Sequence, residues 1–184
     1  EFGGELNKSD YFINDLKRVV NNPDSMESRL KLIFDYVKNK MNWNGELGFF
    51  TKNGVVSAYN ENSGNVAEIN LMLIAMLKMG GIDAKPILLS TKTNGVTLFP
   101  NKSKFDYVIA SVILNGKKYL LDATCKYCSI NNIPLRDLND KGRLINKDGS
   151  TSEIDLISDY NSVNQMTISY KIDSAGEVTG KVVN

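Results

Sequence analysis

The chain has 184 residues, 42% hydrophobic and 23% charged, with a formal net charge of +1. That is enough chain for one soluble globular domain with its own core, or one domain and the start of another. The near-neutral, interspersed charge leaves no basic footprint for nucleic acid, and the longest apolar run, around Leu71–Leu77, is too short to insert in a membrane.

Ser9 to Val20 reads as a short helix with Phe12, Ile13, Leu16, Val19 and Val20 on one side, and Pro23-Asp24 ends that lead-in, residues 1–23. A second helix opens where Asp24 and Glu27 have capping-box spacing, with Leu30, Ile33, Phe34, Val37 and Met41 at helical period. Asn42 to Asn62 has no sustained period and reads as a long ordered loop carrying Trp43, Phe49, Phe50 and Tyr59. These aromatics suit a binding surface and suit equally well the pinning of a loop onto a core. From Asn65 to Gly80-Gly81 a third helix leaves almost no polar face, as expected of a core helix with a glycine C-cap.

Strands follow. Pro86 to Thr91 is apolar and bounded by turn residues, and Tyr107–Leu114 and Lys118–Asp122 flank the hairpin signal Asn115-Gly116. The pattern is irregular from Asp122 to about Gly149, broken at Pro134. Met166, Ile168, Tyr170 and Ile172 alternate, as do Val178 and Val182 beyond a Ser174-Ala175-Gly176 turn, which gives a terminal hairpin. Helices, a buried helix and an antiparallel meander make an α+β fold with the sheet packed on the central helix. The chain opens without Met and stops at Val182-Val183-Asn184 inside a strand pattern, so it reads as a fragment of a longer protein. Residues 158–184 are readable as the start of a following β domain.

Histidine is absent, and the two cysteines are Cys125 and Cys128. A relay that activates a thiol or hydroxyl needs a base titrating near neutrality, which imidazole supplies unperturbed. Two thiolates without imidazole leave a tetrahedral zinc site half filled, so no metal or cofactor is expected. Cys125-Lys126-Tyr127-Cys128 has redox-motif spacing, but no βα unit precedes it; a small loop, reduced or disulfide-bonded, is the simpler reading.

The run Gly64-Asn65-Val66-Ala67-Glu68-Ile69-Asn70-Leu71 into Gly80-Gly81-Ile82-Asp83-Ala84 resembles the transglutaminase-like superfamily, which has a papain-like cysteine-proteinase fold. In that family the nucleophilic Cys opens the central helix, and two later strands carry His and Asp. Here Val66 stands at the Cys position, Tyr107 in Phe105-Asp106-Tyr107-Val108 at the His position, and Asp122 in Leu120-Leu121-Asp122-Ala123-Thr124 at the Asp position. Ile133-Pro134-Leu135-Arg136 to Gly142-Arg143-Leu144-Ile145 looks like the family's continuation, and the resemblance covers roughly residues 24–157. A thiol at a helix N-terminus is held toward thiolate by the dipole, a His takes its proton and an Asp orients the His. Valine has nothing to ionise, and a phenol with a pKa near 10 is a poor base at neutral pH. The resemblance therefore implies a pseudoenzyme whose nucleophile and base were lost natively.

It further implies a bacterial, exported, multidomain protein with flanking β domains, in which this domain is structural or binds an unidentified protein, peptide or glycan. The groove residues would be Trp43, Asn65, Val66, Glu68, Tyr107 and Asp122. An enzymatic alternative is a hydrolase using carboxylates or a Ser/Lys pair. Glu68 and Asp122 would need a separation of about 5–9.5 Å. Ser28 and Lys31 match Ser-x-x-Lys spacing, but a solvated helix face explains them better.

Overall fold

The computed structural model describes residues 2–21, 23–96, 102–157, 163 and 165–183. The expected chain ends at Glu1 and Asn184, and most of the expected domain boundary just past Ile157, lie outside the described residues. The elements are α1 (Phe2–Glu5), α2 (Ile13–Val19), α3 (Met26–Lys40), β1 (Asn42–Trp43), α4 (Val55–Glu61), β2 (Ser63–Gly64), α5 (Val66–Met79), β3 (Ala84–Leu89), β4 (Tyr107–Leu114), β5 (Lys117–Leu121), β6 (Lys141–Ile145), β7 (Thr151–Asp155), β8 (Thr167–Ile172) and β9 (Val178–Val183).

The centre of the molecule is α5, every residue of which from Val66 to Leu77 is buried. It packs on α3 on one side and on β3 and β4 on the other. Ile69, Leu71, Met72, Leu73, Ile74, Met76 and Leu77 are each 0% exposed. Each contributes roughly 1.5–3 kcal/mol over its exposed state. The helix ends where Gly80 lies against α3: a Cβ there would meet Ile33 Cδ1 at 2.7 Å. Arg29 of α3 donates to Gly80 O at 2.9 Å, a cation answering the helix C-terminus.

The main sheet has the order β5-β4-β3-β6-β7, all neighbours antiparallel. The expected meander accounts for β3-β4-β5, joined between the last two by Asn115-Gly116, both at positive φ (52° and 75°) as a type I′ turn requires. The chain then returns across the sheet to lay β6 beside β3. Neither β6 nor β7 follows from the sequence pattern, because Lys141-Gly142-Arg143 supplies no alternation. Gly142 is needed there, since a Cβ would stand 2.5 Å from Ile87 Cγ2 and 3.2 Å from Leu88 O.

Other boundaries differ locally. The cap of α3 is Ser25, whose side chain accepts from Ser28 N, so the first turn begins one residue later than an Asp24 cap would set it. The expected loop from Asn42 to Asn62 contains β1 and the helix α4, which is seven residues long and shows no cap motif in sequence. Cys125 and Cys128 form a disulfide. Ile168, Tyr170 and Ile172 on β8 and Val178 and Val182 on β9 share one face of the terminal hairpin and are all more than half exposed.

Candidate functional site

The start of α5 is held by a reciprocal cap. Asn65 Oδ1 accepts from Glu68 N at 2.9 Å, and Glu68 Oε2 accepts from Asn65 N at 2.8 Å. The remaining oxygen, Glu68 Oε1, accepts from the backbone N–H groups of Lys52, Asn53 and Gly54 at 2.7–3.1 Å. Asn65 Nδ2 donates to Phe50 O at 2.9 Å. Both polar residues of the helix start are thus committed to strapping the 50–54 segment over it.

Val66, the first residue of α5, is 0% exposed. Parallel pairing of β1 with β2 sets Trp43 opposite Gly64, two residues before it. The Trp43 indole N–H donates to Glu46 O at 3.0 Å, and the Val66 amide donates to the same oxygen at 3.3 Å. Two N–H donors converging at a helix N-terminus form a cradle suited to a substrate acyl oxygen. Here a carbonyl of the chain itself fills it.

Asn70 lies one turn beyond Val66, on the same helix face. Its Nδ2 donates to Asp122 Oδ1 and to Val108 O, both at 2.9 Å, and its Oδ1 accepts from Ala123 N at 2.9 Å. Thr124 N also donates to Asp122 Oδ1 at 2.9 Å. Asp122 Oδ2 accepts from Tyr107 OH at 2.9 Å, Thr124 Oγ1 at 2.9 Å and Arg136 Nη2 at 3.2 Å. Five donors saturate this carboxylate, so it holds no lone pair in reserve for a substrate proton. The Tyr107 hydroxyl is 2.8 Å from Thr124 Oγ1 and accepts from Arg136 Nε and Nη2 at 3.1 and 2.8 Å. Burial, reinforced by the charge of Asp122, pushes the Tyr107 phenol well above its ordinary range, so it stays neutral and donates.

Arg136 closes the cluster. Its guanidinium lies between the rings of Trp43, at 4.7 Å, and Tyr107, at 5.3 Å, a stack that suits a planar cation. Behind it Asp137 is 0% exposed and neither carboxyl oxygen accepts a hydrogen bond, Arg136 Nε standing 3.6 Å away. Burial, with the Asp122 charge adding to it, pushes the Asp137 carboxyl up to about 9, so it is a neutral acid at pH 7.

Of the residues singled out in sequence, Tyr107 and Asp122 are in direct contact, and Val66 and Trp43 meet through Glu46 O. Asn65 and Glu68 are caps, and Glu68 is spent on the 52–54 backbone rather than paired with Asp122. Tyr59 belongs to the core, its hydroxyl bonded to Asp15 and Tyr36, while the Phe49 and Phe50 rings meet at 4.4 Å, tilted by 41°. Ser28 and Lys31 lie on α3, where Lys31 pairs with Asp35. Among the described residues no group of three or more Cys, Asp or Glu side chains could hold a metal ion. Asn70, Thr124, Arg136 and Asp137 are not among the site residues expected from sequence; Asn70 carries a signal as the one amide inside an apolar helical run, and Thr124 and Arg136 stand within the motifs quoted for the resemblance.

Residues 15–121 match the model of the transglutaminase-like superfamily. No curated protein matches the chain. A Parabacteroides distasonis ATCC 8503 protein provisionally named a protease superposes with a TM-score of 0.60 at 13% identity, over 85% of this chain and 30% of that one. A Cytophaga hutchinsonii protein provisionally named a cysteine protease gives a TM-score of 0.48 at 16% identity, over 74% of this chain and 44% of that one. The chain thus spans less than half the length of either neighbour.

Proposed function

The chain belongs to the transglutaminase-like superfamily, and we propose that within it this domain is non-catalytic and serves as a structural module. The observation that carries this reading is at the helix start: the residue there is Val66, and its amide, with the Trp43 indole, is already spent on Glu46 O. No sulfur or hydroxyl stands where attack would begin, and no imidazole exists in the chain to activate one. The residues expected to wall a peptide or glycan groove are engaged with one another, Arg136 lying over the Trp43 ring and donating to the Tyr107 hydroxyl, which favours a scaffold over a binding module. A carboxylate hydrolase finds no support, because Asp122 and Asp137 are both buried and Glu68 is turned to another segment.

The context proposed is an exported, multidomain protein. The Cys125–Cys128 disulfide supports an oxidising compartment. The exposed apolar face of β8 and β9 supports a flanking β domain as its cover. A lone hairpin is marginal in water, and five side chains fall short of the roughly 1,200–2,000 Å² of a stable intermolecular contact, so a tethered neighbour suits it better than a separate chain.

The test is turnover. Purified protein is incubated with glutaminyl peptides and a primary amine, and separately with unstructured peptides, and products are read by mass spectrometry. Neither amine incorporation, deamidation nor cleavage is expected above a heat-treated blank. Turnover that disappears in an Asp122→Asn variant would defeat the reading.

A further inference from the structure

The turn immediately after the buried cluster is tethered by a disulfide and by hydrogen bonds to the end of α3. Cys125 and Cys128 are joined, with Cα atoms 5.3 Å apart, and both are half-buried. Between them Tyr127 is 99% exposed, which leaves the turn open to solvent reagents. Lys126 points the other way. Its ammonium donates to Lys38 O at 2.7 Å, Asn39 O at 3.2 Å and Met41 O at 2.5 Å, the carbonyls at the end of α3. Lys38 reciprocates, its ammonium donating to Cys128 O at 3.0 Å. These are charge-assisted bonds at a helix C-terminus, where a cation is favoured twice over.

The two sides of this tether lead to the two walls of the closed site. Upstream of Cys125 is Thr124, which bonds Asp122, Tyr107 and Arg136. Downstream of Met41 is Trp43, whose ring covers the Arg136 guanidinium. The turn therefore ties the wall carrying Asp122 and Thr124 to the segment carrying Trp43.

We propose that the Cys125–Cys128 disulfide is a redox-sensitive brace that keeps Trp43 closed over Arg136 and Tyr107, and that its reduction by a dithiol releases that closure. One thiolate of the dithiol attacks a protein sulfur, breaking the Cys125–Cys128 bond and expelling the other cysteine as thiolate; the second thiolate then attacks the reductant's own sulfur in the mixed disulfide and displaces the remaining protein thiolate. Two electrons pass to the protein, the two dithiol protons end on Cys125 and Cys128, and the reductant leaves as its cyclic disulfide. Without the covalent link the turn regains conformers in which Lys126 no longer reaches all its carbonyls. The inference rests on the closed site and deepens the proposed reading by naming what holds it shut.

Trp43 is the only tryptophan in the chain, so its fluorescence reports this wall alone. The oxidised protein is compared with protein treated with dithiothreitol, the thiols counted by alkylation and mass. Reduction is expected to shift Trp43 emission to the red and to raise its acrylamide quenching constant roughly twofold, as for a local opening, with the far-ultraviolet circular dichroism unchanged. A Cys125→Ser/Cys128→Ser variant should show the reduced spectrum without dithiol and ignore its addition. Lys126→Met, with the disulfide intact, should move emission in the same direction. Two alkylated thiols with unaltered emission would overturn the proposal, as would a Lys126→Met protein identical to wild type, thiols that never appear in excess dithiol, or global loss of structure on reduction. Turnover of glutaminyl peptides appearing only after reduction would instead sink the non-catalytic reading while leaving the brace standing.

Discussion

Asp137 is a buried carboxyl neither of whose oxygens meets a hydrogen-bond donor. It keeps its proton to about pH 9 in the folded chain. In the unfolded chain an aspartate gives its proton up near 3.9. Between those values the native state binds more protons, so this group's contribution to stability is complete below about pH 4 and falls as pH rises, levelling above about pH 9. Asp137→Asn removes the titration and keeps the shape. The variant should be more stable than wild type at pH 8, by about 1–3 kcal/mol, and its urea midpoint should decline less between pH 5 and 9. A variant whose pH profile parallels wild type would show that Asp137 ionises normally. The same residue marks a limit of sequence reading: in Leu135-Arg136-Asp137-Leu138 it looks like an ordinary surface pair. Burial depends on where the irregular segment lands, which no local period encodes. Asp122 and Tyr107 were legible because each begins or follows a strong strand.

Glu68 works at the scale of an element. It completes the α5 capping box and gathers the amides of Lys52, Asn53 and Gly54, joining a helix start to a segment with almost no regular structure of its own. Glu68→Ala should cost about 2 kcal/mol in urea unfolding, since the helix cap and three backbone amides lose one shared acceptor together. Amide hydrogen exchange at residues 52–54 should accelerate ahead of the α5 core. A loss of stability without that local exchange would point to the helix cap alone. Elements with a strong local code were legible, namely α3, α5 and the β4–β5 hairpin. The helix α4 was not, because Val55-Val56-Ser57 has weak helix propensity and no side-chain cap; burial of Val55, Ala58 and Tyr59 stabilises it instead. Strand β6 was hidden for the matching reason: its pairing with β3 depends on fit at Gly142 rather than on alternation.

At the scale of the whole molecule, the body and the terminal hairpin contribute unequally to stability. All described side chains from Thr167 to Val183 are exposed, so the hairpin adds little to the packed core. A chain ending after Ile157 should melt within about 2 °C of the 184-residue chain by calorimetry, because little packed surface goes with the hairpin. A much lower melting temperature would place the hairpin within the cooperative unit. The α+β class and the helix buried against the sheet were readable from the order of elements, but the strand order was not. Strand β3 pairs with β4 soon after it, and its other edge waits until Ile87 meets Leu144 and Leu88 meets Arg143. During synthesis, then, the apolar edge of β3 emerges long before its second neighbour exists. That delay predicts a slow, late folding step and a window in which a newborn chain is most open to chaperone capture or to pairing with the wrong strand.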